Sequence, residues 1–186
     1  VLVVSPDDID YCRKEIVGKY HFSKVKQIIA GGRERYHSVA AGLECMGECD
    51  YAFIHDGARP ALTREILGRA FESVKIHGAC TVGMPVKDTI KIADEKGCVA
   101  DTPDRNLVWM IQTPQVFSYP LIREAYRRLM QREAELLAEG INITDDSMVV
   151  ETLMRHPVKL VEGSYENIKI TTPEDLALAG LLFAGV

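Results

Sequence analysis

The stretch that decides the fold is Tyr51-Ala-Phe-Ile-His55-Asp56-Gly57-Ala58-Arg59-Pro60. Its largely apolar first four residues predict a buried strand, which ends abruptly at His55. In an open α/β sheet, ligands bind at the carboxyl ends of the strands. A carboxylate at Asp56 and a guanidinium at Arg59 suit a site there that handles phosphates and their cation. A surface turn with a local Asp–Arg pair is the alternative, and this stretch alone does not decide between the two.

Length and composition predict a single globular domain over residues 1–186. Hydrophobic residues make up 47% and charged residues 26% of the chain, as in ordinary soluble proteins. The formal net charge of −5 argues against a general nucleic-acid binder, which needs a basic face. Neither a membrane span nor a secretory signal is predicted, since no apolar run is long enough for a span and the first residues lack a basic region.

The cysteines indicate a reducing compartment, and we therefore expect a cytoplasmic protein without disulfides. Five of them occur at irregular spacing: Cys12, Cys45, Cys49, Cys80 and Cys98. Cys45 and Cys49 are four residues apart, but no second pair with zinc-ligand spacing follows. Free and mostly packed thiols are expected, and no metal-ligating residue set is predicted.

Strand-like and helix-like segments alternate through the first half of the chain. Strands are predicted over 1–4, 25–30, 51–54 and 79–86, and helices over 6–18, from Gly32 to about Cys45, and from Thr63 onward. This succession predicts an α/β fold with a parallel or mostly parallel sheet and helices on both faces.

The middle of the chain departs from this alternation. Residues 86–104 alternate apolar and polar side chains around a turn at Asp94–Gly97, which predicts a projecting β-hairpin with two solvated faces. A lone hairpin is marginally stable, so this arm is expected to pack on something, such as a second subunit. The remaining predictions are helices over 118–139 and 145–155, strands over 158–161 and 167–170, and a last helix capped by Thr172.

Several polar residues at strand ends are candidate ligand contacts. Gly31 and Gly32 follow a strand and open a helix, where free N–H groups can meet an anion or a base edge, although such glycines are also common structural devices. Lys169 lies inside a predicted apolar strand and needs a phosphate or carboxylate partner. Thr89 and Arg105 flank the hairpin, and each is a candidate phosphate contact. For Thr89 the alternative is that threonine simply favours strands, and for Arg105 it is an exposed arginine without a partner.

These residues form an ordered set that resembles the 2-C-methyl-D-erythritol 4-phosphate cytidylyltransferase family. The matching pieces are Gly31-Gly32…Arg35…Ser38-Val39, His55-Asp56-Gly57-Ala58-Arg59-Pro60, Asp88-Thr89-Ile-Lys91, Asp104-Arg105-Asn…Trp109…Gln112-Thr113-Pro114-Gln115, Thr144-Asp145, and Glu162-Gly163…Asn167-Ile168-Lys169-Ile170-Thr171. Each piece alone has little specificity for the family, but together the pieces span nearly the whole chain in the family's order.

The resemblance implies a Rossmann-like nucleotidyltransferase sheet whose β-arm crosses to a partner in a homodimer. It also implies a reaction of isoprenoid precursor synthesis by the non-mevalonate route. In it, CTP and 2-C-methyl-D-erythritol 4-phosphate give 4-diphosphocytidyl-2-C-methyl-D-erythritol and pyrophosphate. Mg²⁺ would be bound mainly through the triphosphate. Both reactants are anionic, so the protein must chiefly cancel repulsion and position them.

The resemblance further assigns roles to individual residues. The nucleotide-binding set is Gly31, Gly32, Arg33, Ser38, Asp56, Gly57 and Ala58. Lys169 and Arg105 would hold the attacking phosphate as the catalytic residues. The remaining substrate contacts are Arg59, Thr89 and Thr144 together with Asp56, and the resemblance places Arg59, Thr89 and Arg105 at the neighbouring subunit's site.

One departure from the family is large. The family begins with a strand and a glycine-rich loop whose Arg and Lys grip the triphosphate, whereas this sequence matches from the second strand onward. We therefore expect an N-terminally incomplete domain that is inactive alone. Two alternatives stay open: a ribitol-5-phosphate cytidylyltransferase, against which Ala58 and Arg105…Trp109 argue, and a non-catalytic module with a degenerate nucleotide fold, against which the charged residues at one site argue.

Overall fold

The computed structural model describes residues 1–184, which divide into two compact units. The first comprises Val1–Ala52 and Phe117–Pro157, and the second comprises Phe53–Val116 and the chain from Val158 onward. In chain order the elements are β1 (Leu2–Val4), α1 (Ile9–Tyr11), β2 (Ile28–Ala30), α2 (Arg35–Cys45), β3 (Tyr51–Ile54), α3 (Arg64–His77), β4 (Ala79–Pro85), β5 (Ile92–Ala93), β6 (Val99–Asp101), β7 (Trp109–Ser118), α4 (Tyr119–Ala138), α5 (Asp146–Met154), β8 (Lys159–Glu162) and α6 (Pro173–Phe183).

The first unit combines a short parallel sheet with a group of packed helices. Strands β1 and β2 pair in parallel, with Leu2 opposite Ile28. Helix α4 packs against α2 and α5, and its buried face includes Ile122 and Leu129. The helix ends where the sequence predicts, because Gly140 adopts a φ of 76° that favours a residue without a Cβ.

The second unit is built on a four-stranded sheet with the order β3-β7-β4-β8. Strands β4 and β8 are parallel, with Val82 opposite Val161, and α3 packs on both. Thr63 caps the start of helix α3, because its hydroxyl accepts a hydrogen bond from Ile66 N. The fold is therefore of the mixed α/β class that the sequence predicts.

The predicted hairpin is present, with shorter strands than expected. Strands β5 and β6 form a separate antiparallel pair in which Ile92 lies opposite Asp101. The turn holds together because Asp94 Oδ1 accepts hydrogen bonds from Lys96 N and Cys98 N, at 2.9 and 2.8 Å. Both strands are exposed along their whole length, which agrees with two solvated faces.

The structure corrects four details of the sequence prediction. Residues 167–170 form no strand; Ile170 N instead donates a single backbone hydrogen bond to Ala58 O. Strand β7 was not predicted, because Pro114 interrupts the strand pattern. The helix over 6–18 is a succession of 3₁₀, α and π turns. The thiols are free, but only Cys80 is buried, so "mostly packed" was wrong.

Candidate functional site

The centre of the site in the second unit is an ion pair between Asp56 and Lys169. Asp56 follows β3 directly, and its Oδ2 lies 2.9 Å from Lys169 Nζ. The Asp56 side chain is 17% exposed and that of Lys169 is 43% exposed, so the ammonium reaches the surface while the carboxylate is largely enclosed. The sequence predicted a phosphate or a carboxylate partner for Lys169, and the structure supplies the carboxylate of Asp56, which brings these two predicted residues together.

A chain of hydrogen bonds fixes the turn that carries Asp56. Asp56 N donates to Thr113 Oγ1 at 3.1 Å, and Thr113 Oγ1 lies 3.0 Å from His55 Nδ1. His55 Nε2 lies 3.0 Å from Arg59 O, so Nε2 carries the proton and Nδ1 accepts from the threonine hydroxyl. The side chain of His55 therefore links Thr113 to the backbone of Arg59 and so stabilises the turn that follows β3.

Arg59 and Asn167 lock the segment that carries Lys169. The Arg59 Nη1 donates to Asn167 O at 2.7 Å, and its Nη2 lies 3.5 Å from Ile111 O. Asn167 is fully buried, and its Nδ2 donates to Gln112 Oε1 and Thr113 O, at 3.2 and 2.9 Å. Burial lowers the pKa of the Arg59 guanidinium, and the Asp56 charge opposes that shift. Within this chain, Arg59 holds backbone carbonyls of its own unit.

Gly57 and Ala58 complete the turn after Asp56. Gly57 is exposed, and a Cβ added there would meet no atom within 4 Å. Ala58 is half-buried, and its carbonyl accepts from Ile170 N at 2.8 Å. This bond ties the turn to the residue that follows Lys169.

Thr89 and Arg105 lie at the root of the hairpin. Thr89 is exposed in the segment between β4 and β5. Arg105 opens a 3₁₀ turn, and its Nη1 lies 3.5 Å from Lys87 O. The Lys87 ammonium in turn stands 3.6 Å above the ring centre of Tyr165, whose hydroxyl donates to Pro85 O at 2.8 Å. These contacts anchor the root of the hairpin to the second unit, and they leave the side chains of Lys87 and Arg105 at the surface.

In the first unit, the two predicted glycines form a tight loop against α2. Gly32 N donates to Ser38 Oγ at 3.1 Å, and a Cβ on Gly31 would lie 2.6 Å from the same oxygen. A Cβ on Gly32 would overlap the Cβ of His37. Only glycine permits this close approach of the loop to the helix. Arg33 points to solvent, with its Nε 3.7 Å from Glu34 Oε1.

Thr144 precedes α5 and lies beside residues of the first turn of α2. It lines a small cavity with Arg35 and Tyr36. Asp145 caps α5, because its Oδ1 accepts a hydrogen bond from Met148 N at 2.8 Å. Thr144 Oγ1 lies 3.8 Å from Met148 Sδ.

A buried ion pair joins these two helix starts. Arg35 donates to both carboxylate oxygens of Asp146, at 2.9 and 2.7 Å, and the Asp146 side chain is fully buried. Tyr126 OH donates to the same carboxylate. Burial and the Asp146 charge raise the pKa of Tyr126 well above its usual value, so the phenol keeps its proton. The bidentate geometry fixes the predicted nucleotide loop relative to Thr144 within this unit.

The Mg²⁺ that the sequence analysis expects with the triphosphate stays a prediction. Among residues 1–184, no group of three or more His, Cys, Asp or Glu side chains is placed to hold a metal. Mg²⁺ commonly keeps several waters and binds through one or two carboxylates and substrate phosphates. The predicted Mg²⁺, held mainly by a triphosphate, therefore requires no metal cage from these residues.

Sequence reasoning missed the roles of four residues, two in each compact unit. Thr113, Asn167 and the Arg35–Asp146 pair all act through buried contacts between segments far apart in the chain. Thr113 and Asn167 stood within the quoted motifs, but nothing in the pattern distinguished their side chains from those of their neighbours.

Comparison with known proteins supports one family. The family model for 2-C-methyl-D-erythritol 4-phosphate cytidylyltransferase matches residues 1–184. A protein of that name from Caldanaerobacter subterraneus subsp. tengcongensis is 47% identical over 182 residues, covering 97% of this chain and 77% of the relative. One from Lachnospira eligens is 47% identical over 185 residues, covering 100% and 79%.

The structural comparison agrees. The crystal structure of the 4-diphosphocytidyl-2C-methyl-D-erythritol synthase from Anaerococcus prevotii superposes with a TM-score of 0.84 at 33% identity, covering 98% of this chain and 77% of that one. The chain therefore belongs to the 2-C-methyl-D-erythritol 4-phosphate cytidylyltransferase family.

Proposed function

We propose that this chain serves the cytidylyltransferase reaction of its family, which joins CTP and 2-C-methyl-D-erythritol 4-phosphate in isoprenoid biosynthesis. Two observations support the proposal: the family match over residues 1–184, and the Asp56–Lys169 pair, which presents an ordered ammonium at the end of a strand. The two relatives described above are both named 2-C-methyl-D-erythritol 4-phosphate cytidylyltransferase, so the ribitol-5-phosphate alternative and the non-catalytic module are not favoured.

In the proposed reaction, an oxygen of the acceptor's phosphate attacks the α-phosphorus of CTP. A new P–O bond forms, the bond from the α-phosphorus to the bridging oxygen breaks, and pyrophosphate leaves with that electron pair. Mg²⁺ on the triphosphate would neutralise charge on the leaving group. The chain's own contribution is to place two anions in line and to offset their repulsion.

Lys169 and Arg105 are assigned to the attacking phosphate. Lys169 is held in place by Asp56, so less side-chain freedom is lost when a phosphate arrives. Asp56, Gly57 and Ala58 would meet the ribose, and Gly31, Gly32, Arg33 and Ser38 would meet the base and ribose from the α2 loop. Thr89, Arg59 and Thr144 complete the proposed acceptor contacts. For Arg59, the hydrogen bond to Asn167 O also supports a positioning role toward Lys169.

A homodimer through the β5–β6 arm is part of the proposal. Ile92 and Val99 on the arm are 50% and 63% exposed, and Leu107 at its root is 81% exposed. Apolar side chains on a thin projecting hairpin are suited to a protein partner.

The cytoplasmic location remains a prediction from the free thiols. Within residues 1–184, no helix has the length and hydropathy that a membrane crossing requires.

The experiment that tests the function is a substrate panel. Pyrophosphate release by the full-length protein is measured with CTP, Mg²⁺ and either 2-C-methyl-D-erythritol 4-phosphate or ribitol 5-phosphate. Turnover with the erythritol phosphate and little with ribitol phosphate is expected. Preferred turnover of ribitol phosphate would establish the alternative, and no CTP-dependent turnover or CTP binding would favour the non-catalytic module.

A further inference from the structure

The first turn of α2 supplies two side chains that accept hydrogen bonds from the glycine loop. Ser38 Oγ accepts from Gly32 N, and His37 Nδ1 accepts from Glu34 N at 3.2 Å. The Gly32 backbone also packs directly against the His37 side chain. His37 therefore contacts the loop at two places, and the loop conformation depends on where the imidazole lies.

Glu133, on helix α4 and 96 residues away in sequence, holds that imidazole. Its carboxylate lies 3.2 Å from His37 Nε2 and accepts a 2.9 Å hydrogen bond from Tyr36 OH. The Tyr36 and His37 bonds lower the pKa of Glu133, so the carboxylate stays ionised at neutral pH and is a strong acceptor. The side chains of His37 and Glu133 are 23% and 25% exposed, which limits competition from water.

The arrangement fixes the tautomer of His37. A carboxylate beside Nε2 requires a proton on that nitrogen, which leaves Nδ1 of the neutral ring free to accept from Glu34 N. Without the carboxylate, either nitrogen can carry the proton. With the proton on Nδ1, Glu34 N would face a second donor, and the loop would lose that contact.

We propose that Glu133 is a positioning residue for nucleotide binding, which acts through His37 to hold the loop over 31–34 in the conformation that receives the base and ribose of CTP. The inference rests on the proposed function, because it assigns the loop to CTP. It goes further by giving a role to two residues, Glu133 and His37, that are not among the matched residues quoted above. It concerns the affinity for the nucleotide and leaves the chemical step unchanged.

The test compares Glu133→Gln with Glu135→Gln in the full-length protein. Glu135 lies on the same helix and is ion-paired with Arg132 at 2.8 Å, which makes it a matched control. Glu133→Gln is expected to weaken CTP binding about 5- to 10-fold by calorimetry, the effect of one partly lost charge-assisted hydrogen bond. At saturating CTP, turnover and the KM for the acceptor are expected to stay within about twofold of the parent, as they are for Glu135→Gln.

A second pair of variants separates this role from a merely structural one. His37→Asn keeps an acceptor near the position of Nδ1 but cannot reach Glu133, so it is expected to bind CTP more tightly than His37→Ala. In the His37→Asn background, adding Glu133→Gln is expected to have no further effect, because the two residues act in series.

The outcomes are distinct from those that test the function. If the parent protein neither binds nor turns over CTP, the proposed function fails. If the parent is active but Glu133→Gln binds CTP as tightly as Glu135→Gln does, the inference is overturned. It is also overturned if Glu133→Gln lowers kcat and raises the KM for CTP and the KM for the acceptor together. The same holds if the loss of CTP affinity from Glu133→Gln adds fully to the loss from His37→Asn.

Discussion

Lys169 Nζ lies 2.9 Å from Asp56 Oδ2, and the two residues are more than a hundred positions apart in the chain. The pair is maintained from both sides. Thr113 accepts from Asp56 N, while Asn167, two residues before Lys169, is tied to Arg59 and to the strand that carries Thr113. Strand β7 is therefore the common support of both charged groups.

Lys169→Ala is expected to lower kcat by about 100-fold or more, because it removes a charge-assisted bond that is strongest in the transition state. Pyrophosphate release by the full-length protein measures the effect. Lys75→Ala is the matched control, since Lys75 is also 43% exposed and paired with a carboxylate, at 2.8 Å. Near-normal turnover in Lys169→Ala would remove this residue from the mechanism.

Asn167→Ala is expected to destabilise the protein by about 2–4 kcal/mol, because it leaves Gln112 Oε1 and Thr113 O buried without their donor. Denaturant unfolding measures the change. Asn106→Ala serves as the control, since Asn106 Nδ2 bonds to Asp104 at the surface and its loss should cost less than about 0.5 kcal/mol. Equal stability of the two variants would show that the Asn167 contacts are weak in solution.

Asp146→Asn is expected to lower the free energy of unfolding by about 3 kcal/mol, because the Arg35 guanidinium loses the buried carboxylate that binds it through two hydrogen bonds. Thermal or denaturant unfolding gives the value. Glu135→Gln, which breaks a surface pair with Arg132, is expected to change stability by less than about 1 kcal/mol. The account of a buried pair joining α2 to α5 is wrong if both variants unfold alike.

The hairpin predicts the assembly state. The full-length protein is expected to have the mass of a dimer by light scattering, and replacing Ile92 and Val99 by serine is expected to shift it toward the monomer. Ile76→Ser is the control, because Ile76 is 76% exposed but lies on α3, away from the arm. A monomeric parent, or a dimer that survives the arm substitutions, would contradict the dimer proposal.

The elements with strong local signals were predicted well from the sequence. Strand β3 ends at Ile54 as expected, and Thr63, Thr172 and Gly140 begin or end their helices, because capping and a positive φ are properties of single residues. A phosphate or carboxylate partner was also predicted for Lys169, and Asp56 is a carboxylate partner.

The remaining features depend on contacts between distant segments. Residues 167–170 read as a strand because they are partly apolar, yet Asn167 is fixed by side-chain hydrogen bonds that no local pattern encodes. Strand β7 was hidden by Pro114. The Glu133–His37 contact joins two helices, and neither residue is distinctive in its own segment.

The central claim is tested most directly by following the products of the full-length protein by phosphorus NMR with CTP, Mg²⁺ and 2-C-methyl-D-erythritol 4-phosphate. We expect the diphosphate signals of the cytidylylated alcohol and an equal amount of pyrophosphate, with both strongly reduced in Lys169→Ala. CTP and the alcohol phosphate remaining unchanged in the parent sample would contradict the proposed function.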